Sequence, residues 1–136
     1  MTTELRRPTP LDVANLRAAQ RLEQLLAPGT LMKGERFRPL YEQGIRASGM
    51  TPHARLVALT LLTYATASTG DLPEERQPYL EGLVAATGLN SGQVVVQLRV
   101  LEQRGWVRRS RTGSALYEFA LLRPVIPRIE LARLRG

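Results

Sequence analysis

Between Pro52 and Ala67 apolar residues fall on nearly every side of a helix: Leu56, Val57, Leu59, Leu61, Leu62, Tyr64 and Ala65 leave no wide polar face. Thr51 can cap its start and Pro52 suits the first helical position. A helix patterned this way cannot lie on a surface; it must be covered on more than one side. The natural cover is the sequence before it. Leu11, Ala14, Ala18, Leu22, Leu25 and Leu26 share one stripe of a helix over 11–26 that Pro28-Gly29 ends. A weaker helical segment over 38–47 offers Leu40, Tyr41 and Ile45 before Ser48-Gly49 breaks it. The N-terminal third is therefore expected to be integral to the fold, with a second subunit as the alternative cover.

Downstream, Ser68 to Gln77 reads as a polar loop, and Pro78 opens a helix that turns Leu80, Leu83 and Val84 inward and stops at Gly88. Asn90 caps the next helix, and Gln93 three residues on completes a capping box. That helix ends at Glu102-Gln103-Arg104-Gly105. Trp106-Val107 and Arg108-Arg109 then begin a hairpin with a short turn at Thr112-Gly113-Ser114 and a return strand through Tyr117-Glu118-Phe119. Pro124 and Pro127 bound an extended link, and residues 129–135 form either a last basic turn of helix or a flexible arm. The expected fold class is mainly α with a small antiparallel β-hairpin. The expected division is an N-terminal helical extension over 1–50, a helix–turn–helix with a hairpin over 51–123, and a basic C-terminal tail over 124–136.

Charge narrows the partners. The net charge is +7 and Lys33 is the only lysine, so the positive charge is arginine, the side chain suited to bidentate recognition of phosphate and guanine. A GC-rich genome that codes arginine in place of lysine explains the bias equally well. From Arg99 onward nine arginines stand against three glutamates, a balance of +6, whereas residues 51–98 balance at −2. Polyanions, double-stranded DNA among them, are thus likelier partners than acidic proteins or cations.

Other functions are disfavoured. No cysteine is present and His53 is the sole histidine, so no thiolate or histidine cluster can hold a metal, and no cofactor is expected. Asp71, Glu74 and Glu75 match no cation-binding loop and read as a solvated acidic stretch. No phosphate-binding glycine loop, nucleophile with a histidine base, or carboxylate pair in an apolar segment is visible, so no enzyme is expected. The start lacks the form of a signal peptide, and the longest apolar run, within 56–67, is too short to span a bilayer. A cytoplasmic, nucleoid-associated protein without membrane contact is the expectation.

On a helical wheel Val94, Leu98 and Leu101 share one face of the helix from Ser91, and Gly92, Gln93, Val96, Arg99, Val100 and Gln103 the other. On that outer face Gln93 can pair with an adenine edge, Arg99 with guanine or phosphate, and Val96 with a thymine methyl. Ser91 sits at the helix N-terminus, where amides favour phosphate. Arg108, Arg109, Arg111 and Thr112 of the hairpin are the candidate backbone contacts, Arg109 and Arg111 sharing a side. The expected surface is one continuous cationic footprint. Trp106 is expected to plug the core, and His53 to face solvent. The exposed Val95, Val96 and Val100 fit equally a surface that docks on protein.

The run Gly88-Leu89-Asn90-Ser91, Val94, Leu98 and Leu101-Glu102-Gln103-Arg104-Gly105-Trp106-Val107-Arg108-Arg109 resembles the winged helix–turn–helix superfamily, and residues 41–64 are similar to small regulators of high-GC bacteria. The resemblance covers about residues 51–121. It implies a DNA-binding transcriptional regulator with the helix from Ser91 in the major groove and residues 108–114 as the wing. It also implies a homodimer, commonly formed by helices outside the core such as those of 11–47. The chain departs from the family at Gly92, Val95 and Val96, where members usually carry polar or basic residues. Two alternatives therefore stay open: a protein-interaction module docking on a sigma factor or other regulator, and a plasmid or phage replication or partition protein.

Overall fold

A computed structural model describes residue 7 and residues 9–136. Along them run α1 (Pro10–Leu26), α2 (Phe37–Ala47), α3 (Pro52–Tyr64), α4 (Tyr79–Thr87), α5 (Ser91–Gln103), β1 (Val107–Arg109), β2 (Leu122–Pro124) and α6 (Arg128–Leu134). The two strands form one small antiparallel sheet. The protein is thus mainly helical, as its pattern implies.

The apolar α3 is the centre. Ala54, Val57, Ala58, Leu61 and Leu62 are buried, and the helix packs against α2, α4, α5 and β2. The Thr51 hydroxyl accepts from the Ala54 N–H, capping its start. α2 covers one side with Phe37, Tyr41 and Ile45. The Tyr41 ring stacks on Phe37 at 5.4 Å and meets the edge of Trp106 at 5.6 Å. Its hydroxyl donates to the Trp106 carbonyl at 2.9 Å, so no polar atom of this buried ring is left unpaired. Gly44 allows the close approach: a Cβ there would lie 2.5 Å from the Trp106 ring. Trp106 is buried, as its sequence position suggests, and His53 is exposed.

α1 departs from its expected role. None of its residues is buried, and Leu11, Leu22 and Leu25 stay 69%, 56% and 42% exposed. α2, the helix–turn–helix and β2 cover most of α3 and leave Leu56 39% exposed, while α1 packs on α6 instead. Only its C-terminal end is held, against α6 and against Gly105, where an added Cβ would come 2.7 Å from the Leu26 carbonyl oxygen.

The C-terminal segment is a helix rather than a tail. Leu131 is buried, and α6 packs on both α1 and α2. Arg128 N–H donates to the Ala27 carbonyl at 2.8 Å, and Gly29 N–H to Ile126 at 2.8 Å. Arg135 donates to both carboxylate oxygens of Glu35 at 3.0 and 2.6 Å, and to the Thr30 carbonyl at 2.8 Å. The guanidinium holds the Glu35 carboxyl down to about 2. Two of the C-terminal arginines, Arg133 with Glu130 and Arg135 with Glu35, are therefore paired within the molecule.

The hairpin is also not the short one expected. Val107 pairs with Pro124, Arg108 with Arg123 and Arg109 with Leu122, so the return strand starts after Phe119 and residues 110–121 form a long loop in the position expected for the wing. Tyr117 is buried while Phe119 is 66% exposed; on a strand both side chains would share a face. The register is fixed from outside the hairpin. The Gln77 side chain accepts from the Leu122 N–H at 3.0 Å and donates to its carbonyl at 2.6 Å, standing in for a third strand. Gln77→Ala leaves both backbone groups of Leu122 short of a partner. It is expected to cost about 1–3 kcal/mol in urea unfolding, with the far-ultraviolet spectrum unchanged.

Candidate nucleic-acid interface

α4 and α5 form a helix–turn–helix unit whose joint follows from three residues. Gly88 ends α4 at φ +75°, the left-handed region open to glycine. Asn90 Oδ1 accepts from the Gln93 N–H at 2.8 Å, and Gln93 Oε1 accepts from the Asn90 N–H at 3.0 Å, completing the capping box. Val94, Leu98 and Leu101 are fully buried against the rest of the core. The opposite side of α5 is uncovered: Ser91, Gln93, Val96, Arg99 and Gln103 are exposed, with Val96 at 53%. Val95 is half-buried at the edge of the core, so the valine cluster is smaller than its sequence suggests.

The capping box limits Gln93. Its amide oxygen is engaged by the helix start, so it offers an outside ligand the Nε2 donor rather than a donor–acceptor pair. The bidentate adenine contact expected from sequence is not open to it without releasing the cap.

Arg109 is exposed, yet its guanidinium is engaged within the molecule. Its Nε pairs with Glu102 Oε1 of α5 at 2.7 Å, its Nη1 donates to the Ala115 carbonyl at 2.7 Å, and its guanidinium lies 4.6 Å from the Tyr117 ring centre. The Tyr117 hydroxyl donates to Glu102 Oε2 at 2.5 Å, and burial, with that carboxylate beside it, pushes the phenol up to about 12. This four-residue knot fastens the wing to α5. A backbone contact by Arg109 would compete with these internal bonds, because strand alternation aims its side chain toward the helix.

Arg108 points the other way, opposite Arg123 on β2. With Arg111 these two line a cleft of about 460 Å³ bounded on its far side by Leu72, Glu74 and Gln77. Arg109 borders the same cleft as Arg108 and Arg111; β1 ends at Arg109 and the chain turns at Ser110, whose carbonyl accepts from the Gly113 N–H. Thr112 is exposed in that turn and shares a hydrogen bond with Ser110 at 2.9 Å. Arg99 lines a second cleft, between α5 and the wing, with Gln103, Leu116 and Glu118.

Among the described residues Arg99, Arg104, Arg108, Arg111, Arg123 and Arg128 make no ion pair or hydrogen bond through their side chains. Arg108 facing Arg123 is a like-charge cross-strand pair, which costs energy while it lacks an anion between or beside it. The cations therefore flank the wing on two sides instead of forming one sheet. Sequence alone did not single out Arg123, because the misplaced return strand hid its pairing with Arg108. Among the described residues no acidic or histidine group could hold a metal ion, and no helix is long and apolar enough to cross a membrane. Comparison of the chain with protein-family models, curated proteins and solved structures returns no match.

Proposed function

We propose that the protein binds double-stranded DNA as a winged helix–turn–helix transcriptional regulator, working without catalysis on the nucleoid of the cytoplasm. The observation that carries the reading is the Arg108–Arg111–Arg123 cluster, which makes no ion pair within the molecule although Glu74 borders the same cleft, together with the uncovered outer face of α5. Unpaired arginines in an open cleft suit phosphate oxygens, which accept the planar guanidinium in bidentate fashion. In this reading α5 enters the major groove. Ser91 and the free amides of its first turn meet a phosphate, Gln93 Nε2 donates to a base acceptor, Val96 meets a thymine methyl, and Arg99 reads guanine. Arg108, Arg111 and Arg123, with Thr112 at the turn, hold the backbone beside the wing.

A second reading rests on the cleft between α5 and the wing. There exposed Leu116, close to Phe119, lies next to Glu118, a mixed surface that suits a protein partner. Salt separates the two. Three arginine–phosphate contacts give a log–log slope of about −2.7, so affinity for a mixed-sequence duplex is expected to fall roughly 40-fold from ~50 to ~200 mM salt. Weak duplex binding at low salt with a flat salt response would favour the docking surface.

A further inference from the structure

Arg108 and Arg123 are cross-strand partners on one face of the sheet, and Arg111 joins them in lining the cleft of about 460 Å³. Their charges repel one another, a cost that an anion held among them removes. The opposite wall is built differently. It carries Leu72 and, on the 3₁₀ turn Glu74–Arg76, the carboxylate of Glu74. Glu74 borders the same space yet pairs with none of the three arginines, so acid and cations stand apart across the cleft. The walls are tied in that position. Gln77 Nε2 donates to the Leu72 carbonyl at 3.1 Å and to the Leu122 carbonyl at 2.6 Å, so one side chain fastens both. Arg76 Nη2 donates to Thr66 Oγ1 at 2.8 Å and anchors the turn that carries Glu74. The cleft is formed before any ligand enters, which spares a ligand the cost of ordering it.

We infer that this cleft binds a free nucleoside diphosphate, its phosphates on Arg108, Arg111 and Arg123 and its ribose hydroxyls on Glu74. A DNA backbone satisfies only half of the cleft. Glu74 repels its phosphates and gains no hydrogen bond in return, because DNA lacks the 2′ hydroxyl and its 3′ oxygen is esterified. A free nucleotide meets both walls. Its ribose hydroxyls donate to a carboxylate, its phosphates accept from guanidinium groups, and its base has Leu72 and Leu121 as apolar contacts. Charge selects two phosphates. A terminal phosphate carries about −2 and an inner one about −1, which together balance three guanidinium groups. The volume lies within the range of small-ligand pockets, about 300–1,000 Å³. Occupancy of the cleft stands apart from the DNA-binding reading, but its consequence rests on that reading. The same three arginines cannot hold a nucleotide and a duplex backbone at once, so the nucleotide acts as a signal that weakens DNA binding.

The binding test uses the full chain without DNA, in calorimetric titrations with ADP and with pyrophosphate. ADP is expected to bind about tenfold or more tightly than pyrophosphate, which lacks the sugar and the base. Arg123→Ala, at an exposed position, is expected to weaken ADP by roughly 10–150-fold through lost charge-assisted hydrogen bonds, with the circular dichroism spectrum unchanged. Glu74→Ala is expected to erase most of the preference for ADP, since it removes the ribose acceptor and the repulsion of pyrophosphate together. No heat with ADP at millimolar concentration, no preference over pyrophosphate, or an affinity untouched by Arg123→Ala would each overturn the inference. A duplex titration with saturating ADP reads the consequence. Duplex affinity is expected to fall to that of a chain with alanine at all three arginine positions. ADP that binds and leaves duplex affinity unchanged overturns the competition, whereas a chain that binds ADP and no duplex upholds the nucleotide site and counts against the DNA reading alone.

Discussion

Trp106→Ala is expected to remove about 3–5 kcal/mol of stability, the usual cost of emptying a large aromatic site in a core. The ring links α2 to the start of β1. It is buried between α2 and the sheet, meets Tyr41 edge-on, and presses against the bare backbone of Gly44. The space it leaves cannot be refilled by its neighbours, because Tyr41 is held in place by its own hydrogen bond to the Trp106 carbonyl. A domain of this size has total stability of about 5–15 kcal/mol, so the variant sits near the unfolding threshold at room temperature. Urea unfolding followed by circular dichroism checks the value. A loss under about 1 kcal/mol would mean that α2 is not joined to the sheet through this side chain.

Replacing Arg108, Arg111 and Arg123 together by alanine is expected to abolish most of the salt dependence of duplex binding. Each arginine–phosphate contact contributes about 0.9 to the log–log slope, so the triple variant is left with a nearly flat response over the salt range in which the parent chain falls about 40-fold. Stability should hold or rise slightly, since the change removes an unfavourable cross-strand arginine pair. Arg109→Ala is the informative contrast. It strips Glu102 and Tyr117 of their cation and loosens the wing, so it should lower unfolding stability while leaving the salt slope near that of the parent chain. If Arg109→Ala changes the slope and the triple variant does not, the assignment of the two arginine sets is reversed.

The helix–turn–helix was legible in the sequence because its signals are local. Gly88 takes the left-handed angle, Asn90 and Gln93 close the capping box, and the Val94–Leu98–Leu101 face is buried as its spacing implies. Thr51 and Trp106 behaved likewise. What escaped depends on partners distant in sequence. The return strand moved to Leu122 because Gln77, 45 residues away, supplies the amide that fixes its register. Arg109 turned inward because Tyr117 and Glu102 receive it, and no spacing rule reports such a three-way contact. Periodicity located the stripe on α1 but could not say what lies against it. The same spacing serves a helix that faces the core and one that does not, until the exposure of Leu11 and Leu22 is known. The last helix was left open between arm and helix because seven residues carry too little pattern; its order comes from Leu131 and from Arg135 gripping Glu35 and Thr30.

The central claim is that the uncovered side of α5 and the arginine cleft beside the wing together contact a DNA duplex. The most direct measurement is backbone amide mapping by nuclear magnetic resonance as a short mixed-sequence duplex is titrated into the isotope-labelled protein at low salt. The account predicts shifts at Ser91, Gln93, Val96 and Arg99 and at Arg108, Arg111 and Arg123, with Tyr41, Ile45 and Leu131 unmoved. Duplex-induced shifts confined to α1 or α6, or no shifts on α5 at saturating duplex, would contradict it.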